Sequence, residues 1–313
     1  MIEINFQQLE ENIAKLSHIN PVMVIKNNAY NTNLEKTFKL ALKYHIKYFS
    51  STNLEELIFL RKQNKDVILI LLGIPNLDDV VLYLKYDITI SLNSMEEVQQ
   101  FKEYSLKCHL KINLMMNRFG IKITHLKQVL AKINTSNLVL MGAYSHLFTK
   151  EKALYSKQVE MFEESIKYLP KNLFLHLNST AYLNKPSPFH YRLGMAFYEK
   201  VFKLSAKVIK VNEIKMLDYL GYGLDFQALE TLKIAILDIG YYHGYRKNGI
   251  QYAKINHKYY EVVGKICMNY CFILVDDEIE IGSTAMLIGD DKLDFDYMTN
   301  HGMTYYELIT SFR

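Results

Sequence analysis

At 313 residues, half of them apolar, the chain has enough material for one large globular domain plus a smaller one. Its net charge of +4 comes from lysines scattered among apolar or acidic neighbours, which excludes a nucleic-acid-binding surface. The longest apolar run, Val67 to Pro75, falls far short of the roughly 20 residues a membrane-spanning helix needs, so no membrane partner is expected.

The opening Met1-Ile2-Glu3-Ile4-Asn5-Phe6 carries acidic residues and no apolar stretch of signal-peptide length. Short apolar strands then alternate with stretches of helical period. The predicted strands are Val22–Ile25, Tyr48–Ser51, Val67–Leu72, Ile88–Leu92, Cys108–Leu114, Leu138–His146, Leu173–Leu177 and Tyr191–Tyr198. Between them Leu34, Thr37, Leu40, Ala41 and Tyr44 share one helical face, as do Leu54, Leu57 and Leu60. A longer helix is predicted over Ala153 to Leu169, with Tyr155, Val159, Phe162 and Ile166 inward. Eight strands, each followed by a helix, predict an α/β fold built on a parallel (β/α)8 barrel.

Beyond Lys200 the helical period fades. Leu204 to Val211 alternates as an exposed strand does, and Leu232–Leu237, Tyr259–Val263, Phe272–Val275 and Thr284–Ile288 follow, separated by turns such as Asn248-Gly249 and Gly289-Asp290. The reading is a barrel over residues 1–203 and a smaller, mostly antiparallel β domain over 204–313. Cys108, Cys267 and Cys271 lie in apolar contexts and read as buried free thiols of a cytoplasmic protein. The last two have no nearby ligand partners, and no metal is expected.

Chemistry enters at Lys26, where the apolar run Pro21-Val22-Met23-Val24-Ile25 ends on an amine. The carboxyl ends of barrel strands are where such folds place reactive groups. A lysine there is either a solvated strand end or the amine with which a carbonyl cofactor such as pyridoxal 5'-phosphate (PLP) forms a Schiff base. Further down the chain come Lys111-Ile112-Asn113-Leu114-Met115-Met116-Asn117-Arg118-Phe119-Gly120, then Ser145-His146, Asn178-Ser179 and Tyr191-Arg192-Leu193-Gly194-Met195. The second domain holds Gly221-Tyr222-Gly223 with Phe226, Ile239-Gly240-Tyr241-Tyr242-His243-Gly244, Val263-Gly264-Lys265-Ile266-Cys267-Met268-Asn269 and Gly302-Met303-Thr304-Tyr305-Tyr306-Glu307.

In this order, over nearly the whole chain, these segments resemble the fold-type III PLP enzymes, and specifically the alanine racemase family. The resemblance implies that Lys26 carries PLP and that Tyr30, Ser179, Gly194 and the Met195 backbone hold its phosphate. Arg118 would reach the phenolic oxygen of PLP and the substrate carboxylate, with Lys111, seven residues earlier, as a possible carbamate that steadies it. His146 would lie against the pyridine ring and Arg192 at its nitrogen. Arginine gives up no proton there, which favours reprotonation at Cα over decarboxylation or transamination. Tyr241 would be the second base, opposed to Lys26. The Met268 amide would hold the substrate carboxylate, and Tyr306 would pack nearby.

The chain departs from the family pattern at several places. Asn31-Thr32-Asn33 stands for Gly-His-Gly, Asn113-Leu114-Met115 for Asp-Thr-Gly, Leu193 for proline and His243 for aspartate. His176 is one position nearer Asn178 than usual, so its role does not carry over. The resemblance also implies a cytoplasmic homodimer with shared active sites, acting on a small amino acid and supplying D-alanine for peptidoglycan. Three alternatives stay open. They are a racemase of serine, lysine or a broad range of amino acids, a non-catalytic PLP carrier, and a decarboxylase, which Arg192 disfavours.

Overall fold

The computed structural model describes residues 1–149, 151–185 and 187–312. The chain divides into two compact units, Leu9–Tyr198 and Met1–Gln8 with Glu199–Arg313.

The first unit is a closed parallel barrel of eight strands. They are β2 (Val22–Val24), β3 (Tyr48–Ser51), β4 (Ile68–Leu71), β5 (Ile88–Leu92), β6 (Lys107–Lys111), β7 (Val139–Tyr144), β8 (Phe174–Asn178) and β9 (His190–Leu193), in sequential order. Pairing of Val22 with Arg192 closes the ring between β2 and β9. The strands read as apolar runs because helices cover the barrel's outside; all five residues of β5 are buried. Among the described residues the covering helices are α1 (Phe6–Ser17), α2 (Leu34–Lys43), α3 (Leu54–Gln63), α4 (Val80–Lys85), α5 (Met95–Phe101), α6 (Leu126–Asn134), α7 (Lys152–Ile166) and the single turn α8 (Met195–Tyr198). Asn53 and Ser94 cap α3 and α5 by accepting from the Glu55 and Glu97 amides.

All eight predicted strands are present, with three differences around them. The last strand stops at Leu193, because Gly194 starts a helical turn in which the Phe197 amide bonds to the Gly194 carbonyl at 3.0 Å. After β8 there is only a 3-10 turn, Thr180–Tyr182, and a full helix instead precedes the first barrel strand, with Leu9 and Ile13 buried. The predicted face of α7 is also shifted, since Gln158, Phe162 and Ser165 are the buried positions. Gln158 is tolerated there because its amide donates to the Leu114 carbonyl at 3.0 Å.

The second unit is an antiparallel sheet in the order β1-β10-β11-β14-β13-β12-β15, with β15 also pairing β10. Its strands are β1 (Ile2–Ile4), β10 (Phe202–Ile214), β11 (Leu232–Leu237), β12 (Tyr252–Ile255), β13 (Lys258–Val263), β14 (Cys271–Leu274) and β15 (Thr284–Ile288). The long β10 serves three partners, β1, β15 and β11, and its register slips at Leu204/Ser205 against β15 and at Val208/Lys210 against β11. The chain therefore enters this unit at both of its ends, whereas the sequence reading expected one passage near residue 203.

The antiparallel β domain also contains elements that the sequence reading did not foresee: β12, α9 (Asp291–His301) and α10 (Tyr305–Ser311). Asp290 caps α9, Gly302 ends it at φ 60°, and Thr304 with Glu307 forms a capping box on α10. Cys108 and Cys271 are buried free thiols, but Cys267 is only half-buried, because it lies in a loop against the Tyr241 backbone. No described helix is long and apolar enough to cross a membrane.

Candidate active site

The barrel positions Lys26 directly after β2, and the backbone then does something unusual. Asn27, Asn28, Ala29, Tyr30 and Asn31 all have positive φ, between 53° and 67°. They form one left-handed helical turn made without a glycine, a conformation costing about 1–2 kcal/mol per residue. The Ile25 carbonyl accepts from the Ala29 amide at 2.9 Å, and the Thr32 hydroxyl donates to the Ala29 carbonyl. The turn leaves the Lys26 amine half-buried, 5.8 Å from the centre of the Tyr30 ring. Partial burial first, and the Arg118 charge second, hold this amine below the ordinary lysine range.

The Tyr30 ring stacks on Tyr198 at 4.7 Å, and the Tyr198 hydroxyl donates to the Val24 carbonyl at 3.0 Å. Gly194 closes the other side: a Cβ there would overlap the Tyr30 hydroxyl, so only glycine leaves that oxygen its place. Next to it the Ala196 amide donates to the Thr180 hydroxyl at 3.2 Å, which ties the turn after β9 to the turn that Ser179 opens after β8. Tyr30, Ser179, Gly194 and Met195 are thereby gathered in one neighbourhood.

Arg192, 8 % exposed, anchors the centre. One guanidinium nitrogen lies 3.0 Å from His176 Nδ1, and the other donates to the Ser145 carbonyl at 2.8 Å and lies 3.3 Å from His146 Nδ1. Arginine only donates, so both Nδ1 atoms must accept and both imidazoles carry their proton on Nε2. His176 Nε2 in turn meets His109 Nδ1 at 3.1 Å. Burial, reinforced by the Arg192 charge, pushes His109 down to about 3 and His176 well below its usual range. His146 is also lowered to about 3, by burial and then by Arg192, Arg118, Lys111 and Lys26 in that order. All three rings are neutral at neutral pH. Tyr144 lies under this cluster, stacked on His176 at 4.7 Å, with its hydroxyl donating to Ser91 at 2.8 Å.

Lys111, at the end of β6, is 7 % exposed, with its amine 4.9 Å from the Phe119 ring centre. Burial and the charges of Arg118 and Arg192 lower it to about 8, opposed by Glu97. Arg118 is exposed, on a loop that Asn113 and Asn117 brace through bonds of 3.0 and 3.1 Å. Gly120 permits that loop at φ 115°, where a Cβ would come within 2.9 Å of the Asn113 nitrogen. The sequence reading did not use His109 and left the role of His176 open. His109 precedes Lys111 by two residues and so shares its face of the strand. His176 pairs with His190, two residues before Arg192 on β9, so its ring lies on the same face as that guanidinium.

Tyr241, Met268 and Tyr306 lie in the other unit. The Tyr241 amide donates to the Cys267 carbonyl at 3.1 Å and the Tyr242 amide to that of Met268 at 3.0 Å, which brings Tyr241 and Met268 together. Gly240 is required because a Cβ would overlap those two carbonyls. His243, standing for the family's aspartate, accepts from the Gly240 amide through Nδ1 at 3.2 Å and so closes the turn that holds Tyr241. Tyr306 is exposed on the first turn of α10.

Two family profiles tile the chain: "Alanine racemase, N-terminal domain" over residues 4–200 and "Alanine racemase, C-terminal domain" over 201–313. The chain belongs to the alanine racemase family. An alanine racemase of Fusobacterium nucleatum is 29 % identical, the match covering 94 % of this chain and 92 % of that one. The solved alanine racemase of E. faecalis superposes with a TM-score of 0.89 at 21 % identity, over 100 % of this chain and 95 % of that one. A histidine racemase from Leuconostoc mesenteroides subsp. sake superposes at 0.83 with 21 % identity, over 100 % and 95 %. The expectation that the chain is an amino-acid racemase agrees with these relatives.

Family members are generally PLP-dependent, and the barrel's residues fit that group. The amine of Lys26 is held below its ordinary pKa, and Gly194 leaves room for the Tyr30 hydroxyl where any side chain would displace it. Gly194→Ala should push the Tyr30 ring off Tyr198 and weaken PLP uptake by about tenfold or more, equivalent to at least one lost charge-assisted hydrogen bond. Titration of the unloaded variant by PLP absorbance, beside the native protein, checks this. Unchanged affinity would show that the 194 backbone takes no part.

Proposed function

We propose that the chain is a PLP-dependent alanine racemase working with two opposed bases, Lys26 and Tyr241. The observation that carries this reading is the set of cations around His146: Arg192, Arg118, Lys111 and Lys26 all depress that imidazole. Four positive side chains collected near one ring suit a ligand rich in anionic oxygen, a phosphate ester together with an amino-acid carboxylate. In this reading Lys26 holds PLP covalently, while Tyr30, Ser179, Gly194 and Met195 hold its phosphate. Arg192 and His146 border its ring. Arg118 and the Met268 amide take the substrate carboxylate, with Tyr306 alongside.

PLP, when bound, supplies the electron sink that makes the substrate's Cα–H acidic. The chain's own residues decide where that proton goes. Lys26, with its lowered pKa, serves one face of Cα, taking or returning the proton. Tyr241 serves the other, and a phenol needs help to act as a base. With its Nδ1 taken by Arg192, His146 has an Nε2–H left to stabilise the deprotonated tyrosine. Arg192 keeps its own proton, so charge stays close to Cα and prompt reprotonation is favoured over loss of the carboxylate. The product suits peptidoglycan synthesis in the cytoplasm. A second reading, racemisation of another amino acid, is supported by the histidine racemase that shares this fold.

A panel of L- and D-amino acids offered to the purified protein tests both readings, with alanine expected to invert fastest. Lys26→Ala should abolish the yellow colour, and Tyr241→Phe should keep PLP yet slow racemisation by about a hundred- to ten-thousand-fold. Solvent deuterium should still exchange at Cα of the enantiomer that Lys26 handles. Inversion of no panel member would leave the chain a PLP carrier.

Lys111 is further proposed to carry a carbamate. Its neutral amine adds to the carbon of CO2 and loses a proton, which leaves one negative charge to pair with Arg118. With its pKa lowered to about 8, Lys111 is increasingly neutral as pH rises through 8 and increasingly protonated below it. Under 13C-labelled CO2, a carbamate carbon resonance should therefore grow between about pH 7 and 9 and vanish in Lys111→Ala. Its persistence in that variant would assign it to another amine.

The shared-site homodimer is tested by mixing. Lys26→Ala and Tyr241→Phe proteins should each have little activity alone, but if Tyr241 serves the partner's barrel, a hybrid dimer has one intact site. Activity should return to about half the native value per hybrid. Proven subunit exchange without recovery would mean that each site is built within one chain.

A further inference from the structure

The left-handed turn that presents Lys26 and Tyr30 needs something to hold it, and one carboxylate does so from outside. Glu56 is the third residue of α3, where an acidic side chain ordinarily folds back onto its own helix's cap. Here Asn53 does the capping, and Glu56 is turned away. Its Oε1 accepts from the Asn28 amide at 2.7 Å and its Oε2 from the Ser51 hydroxyl at the end of β3. Asn28 is held at its other end as well, since its side-chain oxygen accepts from the Leu34 amide at 2.8 Å. The Glu56 charge is also felt at Tyr198, the ring on which Tyr30 stacks.

We propose that Glu56 is a positioning residue for PLP: it clamps the left-handed turn so that Lys26 and Tyr30 stand ready for the cofactor. The inference rests on the PLP reading given above, and it concerns a residue that would not touch the cofactor. Its signature is strain. If Glu56 served only general stability, its loss would destabilise the fold and binding together. As a clamp on a strained turn, its loss should free the turn to relax and cost binding alone.

The test uses the full-length protein stripped of PLP and retitrated by absorbance. Glu56→Ala should raise the PLP dissociation constant by about tenfold or more, the equivalent of restoring one left-handed residue, while the unloaded protein melts no lower than the native one. Glu56→Gln keeps the acceptor and should stay within about threefold of native. Adding Ala29→Gly, which reaches positive φ without penalty, should return most of the affinity to Glu56→Ala. Equal PLP affinity in Glu56→Ala, or weaker binding with an equally lowered melting point and no rescue by glycine, would overturn the clamp. Should the native protein take up no PLP, it is the parent reading that fails. The clamp is then judged by hydrogen exchange at the Asn28 amide, which must be slow in native protein and fast in Glu56→Ala.

Discussion

Arg192 is a permanent cation buried on a barrel strand, and the arrangement around it follows from satisfying a group that can only donate. Three acceptors meet its guanidinium: the Ser145 carbonyl and the Nδ1 atoms of His176 and His146. Because a histidine that accepts at Nδ1 must be neutral or lose the bond, Arg192 sets the charge state of both rings. Through His176 it also fixes the tautomer of His109. A positive centre of this kind repels further protons, and the lowered pKa values of Lys111, His146 and His109 all carry its contribution. The site is thus prepared for anions before any ligand arrives.

The chain provides little neutralising charge of its own. Among the described residues Glu97 is the carboxylate whose charge opposes the lowering of Lys111, and burial raises its own pKa. Its oxygens are occupied by the amide and side chain of Asn93 at the start of α5. Repulsion among the cations is left for an anionic ligand, and for the carbamate proposed at Lys111, to relieve. A site that is strained by its own charges binds the compensating anion more tightly than a neutral one of the same shape.

The barrel was legible in the sequence because parallel strands buried on both faces read as uninterrupted apolar runs, and all eight stood out between helical stretches. The last part of the chain was less legible. The turn between β12 and β13 is made by Asn256 and His257, both at positive φ, with no glycine to announce it. In α9 only Leu293 and Tyr297 are buried, too few to make a periodic stripe. In the candidate site, Lys26 stood out as an amine at the end of an apolar strand, whereas Lys111, Arg118 and Arg192 were picked out by the resemblance of their motifs to the family. What spacing could not convey is conformation. Asn27 and Asn28 tolerate positive φ singly, but neither they nor Ala29 and Tyr30 announce a whole left-handed turn, and the contact of His176 with Arg192 appears only when β8 and β9 pair. His243 was read only as a departure from the family's aspartate, yet its ring closes the Tyr241 turn, because imidazole Nδ1 can accept an amide proton as a carboxylate can.

The pairing of β1 with β10 has a consequence for how the protein is made. Ile2 is registered against Leu204, so β1, made before the barrel, belongs to a sheet whose other strands are all made after it. The barrel can close while β1 still has no partner, and β10 pairs with β1 only once it has been made. Long-range closure of this kind is slow compared with local helix formation. It also means that a fragment beginning at residue 201 would lack an edge strand and expose part of β10 as an open template for association. Strand β1 therefore acts as a built-in guard for that edge of β10.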